Sequence, residues 1–398
     1  MKTIALIGAF DRYNYGDVLM PIVLGEVIKQ KVEDVRIYYV ALREEGMQYA
    51  GGYDTIALKD INRKGIEIDV LIVVGGDILG ADYTNMYTNL IPIREKKRQR
   101  LIKDLDRFFP HLFNIVCKLL LGGTDIKPWI LSKNNGQIVI YNTVGGNPFE
   151  TKRIFQFQKK KLIDMLNESE YLSVRDKKTY NILLNAGVQN VKLYPDSVLG
   201  IGQYFSTGEL EKEVSNECRL AINEMKSYFV FQTNYSSARN HIEELAKQID
   251  YICEKLHMNC ILLPIGYAAG HDDREALALI QEQCQSNTWM PDFMNVFEII
   301  YTIRMSEAFI GTSLHGIITA IAYEKLHFTI LGNHKVKAFL ETWNTTKYVM
   351  AETGEIYKIL DILLKDKDNM ELLREQKKKM IGMIEDNFEQ IIKIIKEY

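Results

Sequence analysis

"TIALIGAFDRYNYGDVLMPIVLGEVIK", residues 3–29, reads as strand, loop and helix in succession. The run 3–9 is short, apolar and rich in β-formers, and it reaches glycine at Gly8. A helical pattern follows from about Val18 to Lys29. The joining loop, 8–17, holds Gly8 and Gly16, where backbone can approach a ligand, and Asn14 and Asp17, polar groups at a helix start. It lacks both G-x-G-x-x-G and G-x-x-x-x-G-K-[ST], so dinucleotide or Walker-type phosphate binding is not indicated. A helix cap by Asn14 or Asp17 is the competing reading.

The same grammar recurs along the chain. Strand-length runs lie at 35–42, 69–76, 136–146, 170–176 and 190–197, with helical segments at 152–167 and 176–187. Alternation of this kind predicts a parallel, doubly wound sheet. A charged helical stretch, 207–226, precedes a second series. That series has strands at 227–233, 259–266, 308–313 and 326–332, and helices at 237–257, from about Asp273, and at 294–306. The expectation is an α/β protein of two Rossmann-like domains facing a cleft: 1–206 and 207–350, then C-terminal helices over 351–398. In such a fold ligands sit at strand C-terminal ends.

The interval 90–135 departs from this grammar and reads as a helical insertion. "REKKRQRLIKD" (94–104) is strongly basic, and "FFPHLFNIVCKLLLGG" (108–123) is apolar. One reading is a solvated basic helix followed by a core helix. The other is an amphipathic surface, 94–122, that touches anionic lipid headgroups as a peripheral membrane contact.

The 398 residues, 47% hydrophobic and 25% charged, are those of a globular protein. A net charge of -3 argues against a nucleic-acid partner. Five cysteines at 117, 218, 253, 260 and 284 show no C-x-x-C pair, which suggests buried thiols in a reducing compartment. The first ten residues are too soon interrupted by charge for a signal peptide. No run of about 18 apolar residues exists to span a bilayer. The expected location is cytoplasmic, extending to the inner face of the membrane.

Five further stretches carry polar groups at strand ends. "VVGGD" (73–77) offers Gly75, Gly76 and Asp77, and "NTVGGNP" (142–148) repeats the pattern. Three Gly-rich strand ends in one domain favour a ligand mouth. "YLSVRD" (171–176) puts Arg175 at a strand end, suited to bidentate binding of carboxylate or phosphate, with an Arg175–Asp176 surface patch or a domain-interface ion pair as the alternative. "PIGYAAGHDDREAL" (264–277) places His271 before a helix that Asp272 or Asp273 would cap; three adjacent polar residues make a poor metal site. In "GTSLHG" (311–316), Gly311, Thr312 and Ser313 supply N–H and hydroxyl donors at a helix start, an anion site in principle. His315 follows as a proton donor, or as a histidine satisfied by a backbone carbonyl.

Taken in order, "YNYGD" (13–17), "DVLIVVGGDIL" (69–79), "YLSVRD", "LYPDS" (193–197), "VFEIIYTIRMSEAFIGTSLHGIITAIAYE" (296–324) and "NHKVKAFLE" (333–341) resemble the polysaccharide pyruvyl transferase family. The resemblance implies a GT-B-like fold and transfer of enolpyruvate from phosphoenolpyruvate to a saccharide, forming a cyclic pyruvate ketal in capsular or cell-surface polysaccharide biosynthesis. It implies no cofactor and no metal, with phosphoenolpyruvate as co-substrate and a lipid-linked or nucleotide-linked saccharide as acceptor. Arg175 and His315 map onto the family's phosphoenolpyruvate site, with Thr312, Ser313, Leu314 and Lys335 beside them. The family often has arginine immediately before Leu-His; here that residue is Ser313, and Lys335 is the candidate replacement. Asn14, Gly16, Asp17, Gly75, Gly76 and Asp77 are assigned to the acceptor, and Asn234 and His271 are further candidates. The rival readings are a GT-B glycosyltransferase using a nucleotide sugar and a non-catalytic saccharide-binding protein of the same fold.

Overall fold

The computed structural model describes residues 1–61, 63–133, 136–149, 154–205, 207–268 and 272–398. They divide into two compact units. The first is built on Met1–Ser197 with Ala268 and Met383–Tyr398, the second on Val198–Tyr267 and residues 272–382.

The first unit has seven strands: β1 (Lys2–Ile7), β2 (Val35–Ala41), β3 (Ile56–Ala57), β4 (Val70–Val73), β5 (Ile138–Val144), β6 (Tyr171–Val174) and β7 (Val191–Leu193). They form one sheet in the order β3-β2-β1-β4-β5-β6-β7, and every pairing is parallel. Every residue of β4, β5 and β6 is buried, as central parallel strands covered on both faces require. The helices are α1 (Tyr15–Lys31), α2 (Tyr83–Asn89), α3 (Lys96–Phe108), α4 (Pro110–Leu120), α5 (Gln156–Asn167) and α6 (Lys177–Ala186). The strand order reverses between β1 and β4, so the loops after these two strands diverge and leave a crevice.

The second unit repeats this plan. Its strands are β8 (Tyr228–Gln232), β9 (Asn259–Leu262), β10 (Thr288–Trp289), β11 (Ala308–Gly311), β12 (Leu326–Ile330) and β13 (Met350–Ala351), ordered β10-β9-β8-β11-β12-β13 and all parallel. The reversal falls between β8 and β11. The helices are α7 (Ile201–Tyr204), α8 (Thr207–Glu213), α9 (Asn216–Met225), α10 (Tyr235–Ala238), α11 (Ile242–Leu256), α12 (Arg274–Gln283), α13 (Val296–Met305), α14 (Leu314–Ala322), α15 (His334–Trp343) and α16 (Ile356–Lys365), followed by α17 (Lys367–Glu397). The charged stretch 207–226 is two helices, because Ser215 breaks it and caps α9 by accepting from the Cys218 N–H. The helix expected over 237–257 is likewise divided, with α10 and α11 separated at Arg239–His241.

The last turns of α17 belong to the first unit. There Asn387 is fully buried. Its amide donates to Asn142 Oδ1 of β5 (2.8 Å) and accepts from the Tyr171 hydroxyl of β6 (2.9 Å). Buried polar groups are stable only when paired in this way. The insertion is not one type of structure. Trp129, Ile130 and Leu131 return to the hydrophobic core, while buried Lys127 donates to the carbonyls of Gly80 (3.1 Å) and Ala81 (3.0 Å). The core-helix reading of 108–123 is overturned: in α4 the side chain that is buried is Cys117, whereas Leu112, Ile115 and Leu119 are exposed.

Candidate active site

In the first unit the strand-end loops converge at the reversal of strand order. Gly75 and Gly76 take positive φ (116° and 91°), which a side chain would resist. A Cβ on Gly76 would stand 3.8 Å from Asp17 Oδ1 and 3.2 Å from Met20, so the loop after β4 lies against the start of α1. Asn14 occupies the N-cap position of α1 but its side chain makes no cap bond. Its amide donates instead to Asp17 Oδ2 at 2.9 Å. The capping alternative therefore fails for Asn14, and the pair presents polar atoms at the crevice. Gly16 is buried in the first turn of α1.

The loop after β5 joins this group. Gly145 donates its N–H to the Gly76 carbonyl at 2.7 Å, and a Cβ on Gly146 would meet Asp77 Oδ1 at 2.8 Å. Arg175, at the end of β6, fits only because Gly145 has no side chain: a Cβ there would lie 2.9 Å from its Nε. Arg175 Nη1 and Asp196 Oδ2 are 2.9 Å apart, both buried. Burial pushes the guanidinium pKa down, but the carboxylates of Asp196, Asp77 and Asp176 outweigh it and hold it above the ordinary value. The Arg175–Asp176 patch is thereby corrected. Asp176 caps α6 by accepting from the Thr179 N–H at 2.8 Å, and Asp196 is the partner of Arg175. Asp196 and Ser197 carried no assigned role in the sequence; their signal was "LYPDS". Ser197 Oγ accepts from Asn142 (3.2 Å) and Thr143 (3.4 Å). These bonds, with Thr143 N–H to Ser173 Oγ (2.8 Å), hold Thr143 at a φ of 46°.

In the second unit the corresponding reversal carries the Gly-Thr-Ser turn. Ser313 is the N-cap of α14 and accepts from the Gly316 N–H at 3.3 Å. Thr312 N–H donates to Gln232 Oε1 at 3.0 Å. The Thr312 N–H, expected as a free anion donor, is therefore committed internally, whereas Ser313 only accepts and keeps its own O–H to donate; that hydroxyl and the positive end of α14 are what the turn offers a ligand. Leu314 and His315 form its first turn, with His315 9% exposed. Asn333 caps α15, accepting from Lys335 N–H (3.2 Å) and Val336 N–H (3.3 Å), and its amide donates to the Thr312 carbonyl. The exposed Lys335 is thus brought to the same turn from a second helix start.

Behind this turn lies Asp273. Of the two capping candidates, Asp272 accepts from the Arg274 N–H at 3.1 Å, whereas Asp273 makes no side-chain cap bond on α12. Its Oδ2 accepts from Gln232 Nε2 (2.9 Å), Ile265 N–H (3.1 Å) and Gly266 N–H (3.0 Å). Burial raises its pKa to about 7, against those hydrogen bonds, which lower it. Gln232 therefore links a buried carboxyl to Thr312. His327, at the start of β12, is a structural histidine: Nδ1 bonds the Lys325 carbonyl (2.8 Å), Nε2 bonds Thr345 Oγ1 (2.9 Å), and burial lowers its pKa to about 4. Asn234 is accounted for as the cap of α10, accepting from the Ser237 N–H at 3.1 Å. His271 lies outside the described residues. Among the described residues no group of three or more His, Cys, Asp and Glu is placed to hold a metal.

A family model described as polysaccharide pyruvyl transferase matches residues 14–334. No curated protein matches the chain. The fold is similar to UDP-GlcNAc 2-epimerase from Neisseria meningitidis bound to UDP-GlcNAc, with a TM-score of 0.57, 11% identity and 100% of each chain covered. It is similar to UDP-GlcNAc 2-epimerase from Methanocaldococcus jannaschii, with a TM-score of 0.56, 12% identity, and 92% of this chain and 94% of that chain covered. Anabaena Alr3699/HepE in complex with UDP-glucose matches at a TM-score of 0.55 and 9% identity, with 100% of each chain covered. At these identities the likeness is one of fold, which is GT-B-like.

Proposed function

Because the chain belongs to the polysaccharide pyruvyl transferase family, we propose that it moves enolpyruvate from phosphoenolpyruvate to a saccharide and closes a cyclic pyruvate ketal. The observation that carries this reading is His315 in the first turn of α14, at the strand-order reversal and beside the start of α15 with Lys335. Phosphoenolpyruvate bears a carboxylate and a phosphate, so it calls for cations and a helix N-terminus. Lys335, the Ser313 hydroxyl, the N-terminus of α14 and His315 are the groups of the second unit assigned to it, and Arg175 is assigned to it by the family resemblance. Asn14, Gly16, Asp17 and the Gly75–Asp77 loop are assigned to the saccharide.

The step balances without a redox partner. A proton adds to the methylene carbon, which leaves oxocarbenium character at the central carbon. One sugar hydroxyl adds there, the bond to the phosphate oxygen breaks, and a second hydroxyl closes the ketal. Of the two hydroxyl protons, one replaces that given to the methylene and the other leaves with phosphate. His315 gives and recovers the first. The acceptor is a saccharide on a lipid or nucleotide carrier; the structural neighbours bound to UDP-GlcNAc and UDP-glucose favour a diphosphate-linked sugar.

The test is labelled phosphoenolpyruvate with a panel of carrier-linked saccharides, reading label transfer and phosphate release. Nucleotide release would assign a glycosyltransferase; binding without turnover would assign a saccharide-binding protein. His315→Ala and His315→Gln should fold yet lose roughly 10²–10⁴-fold in turnover, the range of a general acid/base. Restoration of the rate by Gln would return His315 to a binding role.

A further inference from the structure

We propose that α3, α4 and the start of α5 form a single docking surface for a bilayer bearing anionic headgroups. An amphipathic helix ordinarily turns its apolar stripe to the core. Here the stripes face out. On α3, Leu101, Leu105 and Phe108 follow the i, i+4, i+7 spacing and all are exposed, Phe108 by 74%. On α4, Leu112, Ile115 and Leu119 follow the i, i+3, i+7 spacing and are exposed, Leu119 by 72%. The surface continues past the hairpin. His111 of α4 stacks on Phe155 at 4.3 Å, and Phe155 stacks on Phe157 at 5.6 Å. Half of the exposed large hydrophobic side chains among the described residues fall between Leu101 and Phe157. A patch of this size marks a contact surface.

Charge selects the occupant. Six lysines and arginines lie between Arg94 and Lys103 against one acid, Glu95, which pairs with Arg98 at 3.0 Å. Lys97, Arg100, Lys103 and Arg107 are exposed beside the apolar stripe of α3. Asp104 and Asp106 leave that helix basic, at six cations to two acids. A second basic run, Lys159–Lys161, follows Phe157 on α5. Burial lowers the Lys118 pKa and the nearby charge of Lys161 adds to that shift, so the α5 run lies close to α4. A second copy of this chain would set these cations against each other. Anionic headgroups neutralise them, at about 1 kcal/mol for each cation near the surface, while the stripes enter the headgroup boundary to a depth of about 5–10 Å. Among the described residues no helix is long and apolar enough to cross a membrane, so contact through this surface is peripheral.

The hairpin follows the strand-end loop that carries Asp77, and Phe155 follows the one that carries Gly145 and Gly146. Docking would thus hold the candidate acceptor loops near a lipid surface. The docking stands apart from the proposed transfer; the consequence that the acceptor is lipid-linked rests on it.

The experiment is co-sedimentation of the full chain with vesicles of phosphatidylcholine alone and of phosphatidylcholine with phosphatidylglycerol, at low and physiological salt. The expected result is binding to the anionic vesicles that weakens with salt. Combined Lys97→Glu, Arg100→Glu and Lys103→Glu should reduce it by at least roughly tenfold, and Phe108→Ser with Leu112→Ser should also reduce it. These side chains are exposed, and an unchanged melting transition verifies the fold. Absence of wild-type binding, or full binding by both variants, overturns the proposal. So does a wild-type dimer in sedimentation velocity that Phe108→Ser dissociates, which would assign the surface to a second copy. Binding is read without turnover, so failure of the transfer reading leaves the result intact.

Discussion

Arg175 and Asp196 form a pair whose side chains are 4% and 0% exposed. Removing one partner of such a pair strands a charge, at about 3–5 kcal/mol. Asp196→Ala should therefore lower the urea midpoint strongly, and an unchanged midpoint would show that Arg175 finds compensation elsewhere. Arg175→Lys keeps a charge but loses the planar fork. It should retain a cooperative transition and lose more than about 10-fold in turnover, the scale of a charge-assisted bond worth ~1.5–3 kcal/mol. Asp273 makes a different prediction. Its pKa rises from 3.8 to about 7 on folding because burial disfavours the carboxylate. The folded state holds the extra proton, so this contribution to stability is complete below pH 3.8 and is lost as pH rises through about 7. Asp273→Asn is uncharged throughout and keeps an oxygen to accept from Gln232, Ile265 and Gly266. Its melting temperature should gain on the wild type progressively from about pH 4 to about pH 7. His327 slopes the opposite way, since its lowered pKa removes stability as pH falls below 6.5 toward about 4; comparison at each pH cancels it. A constant difference across the window would mean that Asp273 ionises normally.

At the scale of elements, α14 owes its seating to a missing side chain. A Cβ on Gly316 would lie 2.2 Å from Phe309 Cζ of β11, so helix and strand approach as closely as glycine permits. Gly316→Ala should cost about 1–3 kcal/mol through overpacking. Adding Phe309→Leu should recover part of it, as a coupled pair does. If the single variant melts like the wild type, Phe309 has room to turn aside. The same element shows how far pattern reading reaches. The helix start at Ser313 and the strand before it were legible in "AFIGTSLHG", because small capping residues end one period and begin another. The commitment of Thr312 to Gln232 was not, since that partner is 80 residues away in the chain. The α3–α4 stripes show the complementary limit: spacing establishes an apolar face, but only neighbouring elements decide whether that face is covered.

At the scale of the whole molecule, the chain's last segment completes its first unit. Phe388, Ile391 and Ile395 are fully buried, and Asn387 bonds β5 and β6. Truncation after Gly382 should make amides of β5 and β6 exchange rapidly while those of β8 and β11 stay protected, read by hydrogen exchange. Equal loss in both sheets would show that the two units unfold as one. The sequence by itself determined the alternation of strand and helix in both units, because buried parallel strands are continuous apolar runs and the helices between them carry caps and 3.6-residue periodicity. It also placed Arg175, His315 and the glycine loops at strand ends. The two-residue edges β3, β10 and β13 were beyond it, for so short a segment has no period to detect. Tertiary structure alone decided the strand orders, and with them the reversals at β1/β4 and at β8/β11 that gather strand-end loops within each unit. It alone gave Arg175 the partner Asp196, gave Thr312 the partner Gln232, and turned Asp273 inward. Local propensity acts over a few neighbouring residues, whereas a buried charge or amide is paired by whatever the folded chain brings within about 3 Å of it.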